Sequence, residues 1–165
     1  MSDNPALDSL KQALCEAIQD EYKACATYRL IIQKFGPIRP FVNIIEAEKR
    51  HIQALIPLFI RYNIPIPEDD WETRIIPPNS VQEACEQGVK AEIENGEMYQ
   101  RLLKATSNYW DVQNVFLNLQ RASQENHLPA FKRCVTRRTQ TIAISNQNNC
   151  YGGHRYQRRR GCQFS

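Results

Sequence analysis

Glu48-Lys49-Arg50-His51-Ile52-Gln53-Ala54-Leu55 lines up with Gln124-Glu125-Asn126-His127-Leu128-Pro129-Ala130-Phe131, so two of the chain's three histidines occupy equivalent places. Upstream, Glu21-Tyr22-Lys23-Ala24-Cys25-Ala26-Thr27-Tyr28 matches Glu92-Ile93-Glu94-Asn95-Gly96-Glu97-Met98-Tyr99, each a glutamate followed seven residues later by a tyrosine. The order is therefore Glu, Glu-x-x-His, Glu, Gln-x-x-His. A carboxylate metal site inside a four-helix bundle needs one glutamate from each of two helices and a Glu-x-x-His pair from each of the other two. Gln124 is the one departure from that inventory.

The spacing around these residues is helical. Leu7, Leu10, Leu14, Ile18, Tyr22, Cys25 and Leu30 recur every three or four positions from Pro5 to about Phe35, where Gly36-Pro37 ends the run. A second helix is predicted from near Pro40 to about Tyr62, stopped by Asn63 and Pro65-Ile66-Pro67. Residues 64–79, with four prolines and Trp71, read as an extended crossover on the outside of the bundle. Ser80 and Glu83 fit a capping box that opens a third helix over about 81–106. Asp111 or Ser107 is placed to cap a fourth, in which Pro129 predicts a kink beside His127. The fold expected is all-α: an antiparallel four-helix bundle over residues 1–143, with a long crossover between helices 2 and 3 and a flexible basic tail over 144–165.

A chain of 165 residues suffices for one domain with a real core. No run of about 18 apolar residues occurs, and Met1-Ser2-Asp3-Asn4 lacks the regions of a secretion signal, so a soluble cytoplasmic protein without a membrane partner is expected. All 18 acidic residues lie at or before Glu125, whereas eight of the 21 basic residues follow it. The bundle is thus acidic and the tail basic. Six cysteines form no Cys-x-x-Cys pair, which argues against zinc ribbons, rubredoxin-type iron centres and thioredoxin-like motifs. Cys15, Cys25 and Cys85 read as small apolar helix residues, with no disulfide needed.

Glu48 and His51, three apart on a helix, project from one face. Glu21 and Glu92 sit near the inward face of their own helices, where an unpaired carboxylate would be costly. Tyr28 and Tyr99 read as core residues whose hydroxyls find a partner. Carboxylate oxygens and imidazole nitrogens at an open site suit iron, with manganese as the alternative. Glu16, Glu46, Glu83, Glu86 and Glu97 read as solvated.

Asp20-Glu21-Tyr22-Lys23-Ala24, Ala47-Glu48-Lys49-Arg50-His51 and Ala91-Glu92 with Met98-Tyr99 resemble the ferritin-like superfamily, rubrerythrin-type di-iron domains above all, over about residues 5–140. The resemblance implies that Glu21, Glu48, Glu92, His51 and His127 bind two iron ions. It also implies an oxidoreductase of ferroxidase or peroxidase type, acting on ferrous iron with dioxygen or on peroxide. A homodimer is the expected assembly. Gln124 offers a neutral carbonyl where the family has glutamate, making it a weak or outer ligand and implying looser binding of the second metal or a mononuclear site. Glu125 would replace it only if the helix turned by about 100°. The rubredoxin-like centre of full rubrerythrins is absent, so peroxide reduction would need an external electron donor.

Two readings compete with metal chemistry. The first is a metal-free helical bundle, a structural or interaction protein that reaches an acidic partner through its basic tail. The second is nucleic-acid binding by Tyr151, His154, Tyr156 and the neighbouring arginines, which ranks lower because short basic tails are usually solvated extensions.

Overall fold

The structure, a computed structural model, describes the backbone of residues 5–151 and the side chains of residues 6–140. Over that range it is all-helical: α1 (Pro5–Phe35), α2 (Phe41–Arg61), α3 (Val81–Ala105), α4 (Trp110–Ala122) and α5 (Leu128–Tyr151). A single 3₁₀ turn, Trp71–Thr73, interrupts the crossover, and a π-helical turn, Ser123–His127, joins α4 to α5 without a break. None of the described helices is long and apolar enough to cross a membrane.

Local chemistry sets the helix ends. Gly36 takes φ +84° after α1, the left-handed conformation that glycine adopts without a Cβ penalty, and its N–H donates to Ile32 O at 2.9 Å. Asn63 does the same after α2 with φ 52°. At the start of α3, Ser80 Oγ accepts from the Glu83 N–H at 3.1 Å, as a capping residue should. The Glu83 carboxylate reaches back one residue further than a capping box requires and accepts from the Asn79 N–H at 2.8 Å.

The main packing partners are α1 with α2 and α3 with α5. The core divides into two apolar clusters along the helices. One contains Leu10, Leu14 and Ile18 with Leu55, Phe59, Tyr99, Leu102 and Phe116. The other contains Cys25, Tyr28 and Ile31 with Phe41, Ile44, Ala84, Cys85 and Phe131. Tyr28, Phe41 and Phe131 form a triangle of tilted rings with centroids 5.4–5.8 Å apart. On every helix the boundary between the clusters falls at a polar residue: Glu21, Glu48 with His51, Glu92, and Ser123 with His127. These form a polar layer across the middle of the fold.

The crossover lies along α1. Trp71 Nε1 donates to Gln19 Oε1 at 2.6 Å, Arg29 pairs with Glu72 at 2.8 Å, and Lys34 Nζ donates to Pro78 O at 2.8 Å. Its position outside the helices agrees with the reading from the prolines.

Several expectations are corrected. Neither Asp111 nor Ser107 caps the fourth helix. Its N-cap is Tyr109, with no side-chain cap bond, because the Asp111 carboxylate is held by Arg61 Nη1 and the Tyr62 hydroxyl, each at 2.7 Å. Cys85 is not a free apolar residue but is bonded to Cys134, joining α3 to α5, while Cys15 and Cys25 are free. The irregularity expected at Pro129 takes the form of the π turn just before it. Proline lacks an N–H and crowds the preceding turn, and a widened turn accommodates both. The helix α5 itself runs to Tyr151. The arginines and His154 of the basic tail lie outside the described residues.

Candidate metal centre

Five of the six residues singled out by their spacing come together in the polar layer. Glu21, Glu48, Glu92 and His127 are each 5 % exposed or less, and His51 is partly buried. Glu48 sits at the centre. Its Oε2 lies 2.7 Å from His51 Nδ1 and its Oε1 lies 3.2 Å from His127 Nδ1. Glu21 Oε2 approaches His51 Nδ1 at 3.1 Å, and Glu92 Oε1 lies 3.7 Å from His127 Nδ1. The two imidazoles are stacked at a centroid distance of 5.5 Å. Glu48, His51 and His127 each offer a ligand atom within 4.8 Å of the others.

The internal repeat thus becomes two similar halves about Glu48: Glu21 with His51, and Glu92 with His127. The tyrosines complete the correspondence. Tyr99 donates to Glu21 Oε1 at 2.8 Å and Tyr28 donates to Glu92 Oε1 at 3.2 Å, so each half's tyrosine reaches across to the other half's glutamate. Burial and the neighbouring carboxylates push both phenols well above their ordinary range, which keeps them protonated as donors.

Electrostatics explains how so many ionisable groups tolerate burial. Burial pushes His51 and His127 down, but hydrogen bonds donated to the carboxylates outweigh it and carry them up to about 9 and about 10. Burial also pushes Glu48 up, and the hydrogen bonds of His127 and His51 outweigh it to hold this carboxyl below its ordinary range. For Glu21, burial and the charge of Glu48 win and the carboxyl is raised. In the metal-free chain the imidazoles and the Glu48 carboxylate thus favour each other's charged forms, which offsets part of the cost of burying them.

Gln124, the sixth residue, is not brought to the cluster. Its Nε2 donates to the Glu92 main-chain carbonyl at 2.6 Å and lies 3.0 Å from Ser123 Oγ. The amide is seated against Gly96, where an added Cβ would come within 2.6 Å of Nε2. In a regular helix Gln124 and His127 share a face. The π turn inserts one extra residue, and Ser123 comes round instead, donating its hydroxyl to Glu92 Oε2 at 2.6 Å. Ser123 thus takes the place in the polar layer that reasoning from the repeat gave to Gln124. Glu125 remains exposed and plays no part, and Glu94 faces outward, 3.7 Å from Lys90.

Beside the cluster lies a further polar pair, in which Asn95 Nδ2 donates to Asp20 Oδ2 at 2.8 Å. Burial raises the Asp20 carboxyl above its ordinary range. Cys25, one turn after Glu21, is a buried thiol pushed up to about 12 by burial and by Glu48 and Glu21, so it stays protonated and is a poor thiolate ligand.

Glu48, His51 and His127 together form a group that could hold a metal ion, with a carboxylate oxygen and two imidazole nitrogens as donors. A cavity of about 340 Å³ reaches the cluster from between α1 and α3, giving it access from outside.

No family model and no curated protein matches this chain. Its fold is similar to that in the crystal structure of hypothetical protein MJ0754 from Methanococcus jannaschii DSM 2661, with a TM-score of 0.70 at 24 % identity, over 78 % of this chain and 81 % of that one.

Proposed function

We propose that the chain is a ferritin-like antiparallel four-helix bundle whose Glu21, Glu48, His51, Glu92 and His127 hold two metal ions, iron in the first instance, for oxidation of ferrous iron or reduction of peroxide. The observation that carries this reading is the placement of Glu48 between the two imidazoles, one carboxylate oxygen toward each. Bound iron would supply exchange between two oxidation states and reactivity toward dioxygen or peroxide.

The chain's own residues supply the rest. Glu48 is positioned to serve both halves, with Glu21 and His51 completing one and Glu92 and His127 the other. Tyr99, Tyr28 and Ser123 fix the rotamers of the outer carboxylates by donating to them, in the manner of groups that orient ligands in metal proteins. Loading displaces the imidazolium protons, since a histidine binds metal only when neutral. With Ser123 in place of a fourth-helix carboxylate, the site carries one negative charge fewer than the full inventory. That favours a metal held less tightly on the Glu92–His127 side.

The test is oxidation of ferrous iron. Chain loaded anaerobically and then exposed to air or peroxide should consume ferrous ion faster than protein-free buffer, and Glu48→Ala should remove the difference. Equal rates for chain, variant and buffer would overturn the reading.

A second reading has one observation in its favour: all six carboxylate oxygens of Glu21, Glu48 and Glu92 already have a partner within the chain. A metal-free layer that only fixes helix register would look the same. In that case ferrous iron would leave the unfolding midpoint unchanged.

A further inference from the structure

The cavity above the cluster is larger than the proposed chemistry requires. Its volume is about 340 Å³. A water molecule's share of liquid is about 30 Å³, so dioxygen or peroxide, with two heavy atoms, would need roughly a fifth of this space. Small-molecule sites begin at roughly 300 Å³. At about one water's volume per heavy atom, the cavity accommodates a ligand of roughly ten to twelve heavy atoms.

Its lining is graded from floor to rim. The floor is the carboxylate–histidine cluster. The wall is mixed: Ile31 and Leu119 lie among small residues, Ala24, Ala84, Gly88 and Ala91, that leave the space open, and the polar Asp20–Asn95 pair also lines it. The rim carries Lys23, Arg74 and Lys90 beside Trp71. Arg74 is paired with Asp70 and Lys90 with Glu94, whereas Lys23 has no carboxylate within ion-pair distance among the described residues. Its ammonium lies 5.7 Å from the centroid of the Trp71 ring. Also on the rim, Ile76 is 90 % exposed, a large apolar side chain with nothing over it.

We infer that this cavity binds an unbranched organic acid of medium chain length, its carboxylate at Lys23 on the rim and its hydrocarbon end directed toward Glu48, His51 and His127. The charges of the floor are already paired with one another, whereas Lys23 on the rim has no carboxylate at ion-pair distance among the described residues, so the anionic head is held at the rim, which fixes the orientation. The chain then covers the apolar part of the wall. Such a ligand counts as a substrate only on the metal reading above, but its binding rests on the cavity alone.

Trp71 supplies the readout. The chain has two tryptophans, and Trp110 is 73 % exposed, so Trp110→Phe leaves Trp71 as the sole reporter without disturbing the core. The metal-free full-length variant is titrated with decanoate below its micellar concentration, with decanol and decyltrimethylammonium as controls. Decanoate should change Trp71 emission saturably, and Lys23→Glu should weaken it by about tenfold, the worth of roughly one ion pair. Ala91→Phe, at an exposed position, and Ala24→Phe, at a half-buried one, should each abolish the response by filling the cavity. A non-saturable response, equal or tighter binding of either control, or an undiminished response in both filled variants would overturn the proposal. Because the titration is done without metal, decanoate binding with no ferrous uptake would sink the metal reading alone, and ferrous uptake with no decanoate binding this one alone.

Discussion

The Tyr99 hydroxyl donates to Glu21 Oε1 at 2.8 Å, between two side chains 78 residues apart in sequence, and both are almost wholly buried. It leaves Glu21 Oε2 facing His51. Tyr99→Phe keeps the ring in its core position and strands one buried carboxyl oxygen. The expected loss of stability is about 1–3 kcal/mol, measured by urea unfolding of the metal-free chain. An unchanged midpoint would mean that the ring alone, not its hydroxyl, matters there.

Gln124→Glu restores the letter of the repeated Glu-x-x-His motif, but on this structure it does not restore a ligand. The residue it replaces donates to the Glu92 carbonyl from a seat against Gly96, and a carboxylate there has no proton to give. The variant should bind no more metal than the parent and be destabilised by about 1–3 kcal/mol. A gain in metal stoichiometry would show that the π turn can rewind to bring position 124 inward.

Asp111 gives a pH dependence remote from the centre. Burial pushes its carboxyl up, but the hydrogen bonds from Arg61, Tyr62 and the Val112 N–H outweigh that and hold it below its ordinary value. A carboxyl lowered in the folded state contributes stability above its unfolded value of about 3.9 and loses it as pH falls through the lower folded value. Asp111→Asn should therefore lower the melting temperature at neutral pH, and the difference from the parent should shrink in acid below that value. A gap that persists unchanged in strong acid would assign the effect to packing rather than charge.

The helices and the polar layer were legible in the sequence because both rest on local periodicity. Pro5 to Phe35, the Gly36 stop and the Ser80 cap are decided within a few residues of chain. The gathering of Glu21, Glu48, His51, Glu92 and His127 in one layer was legible for a different reason, since an internal repeat encodes a tertiary relationship directly. The place that Gln124 takes depends on a slip in register. A single extra residue in the turn before Pro129 exchanges Gln124 for Ser123, and no spacing rule marks where a π turn will sit. Gly96, unfavourable in mid-helix, was the available hint that something packs closely against α3 there. The Cys85–Cys134 bridge was hidden for the complementary reason: it joins positions 49 apart with no repeat to relate them. Asp111 read as a cap because its partners, Arg61 and Tyr62, lie at the C-terminal end of α2, about 50 residues away in sequence.

The central claim is that the layer is a metal centre rather than a self-paired ionic one, and anaerobic equilibrium binding of ferrous iron to the purified chain tests it most directly. The account predicts saturation at two ions per chain, the second held more loosely, with both lost in Glu48→Ala. A folded chain that retains no ferrous iron, or a Glu48→Ala variant that binds it as the parent does, would contradict the account.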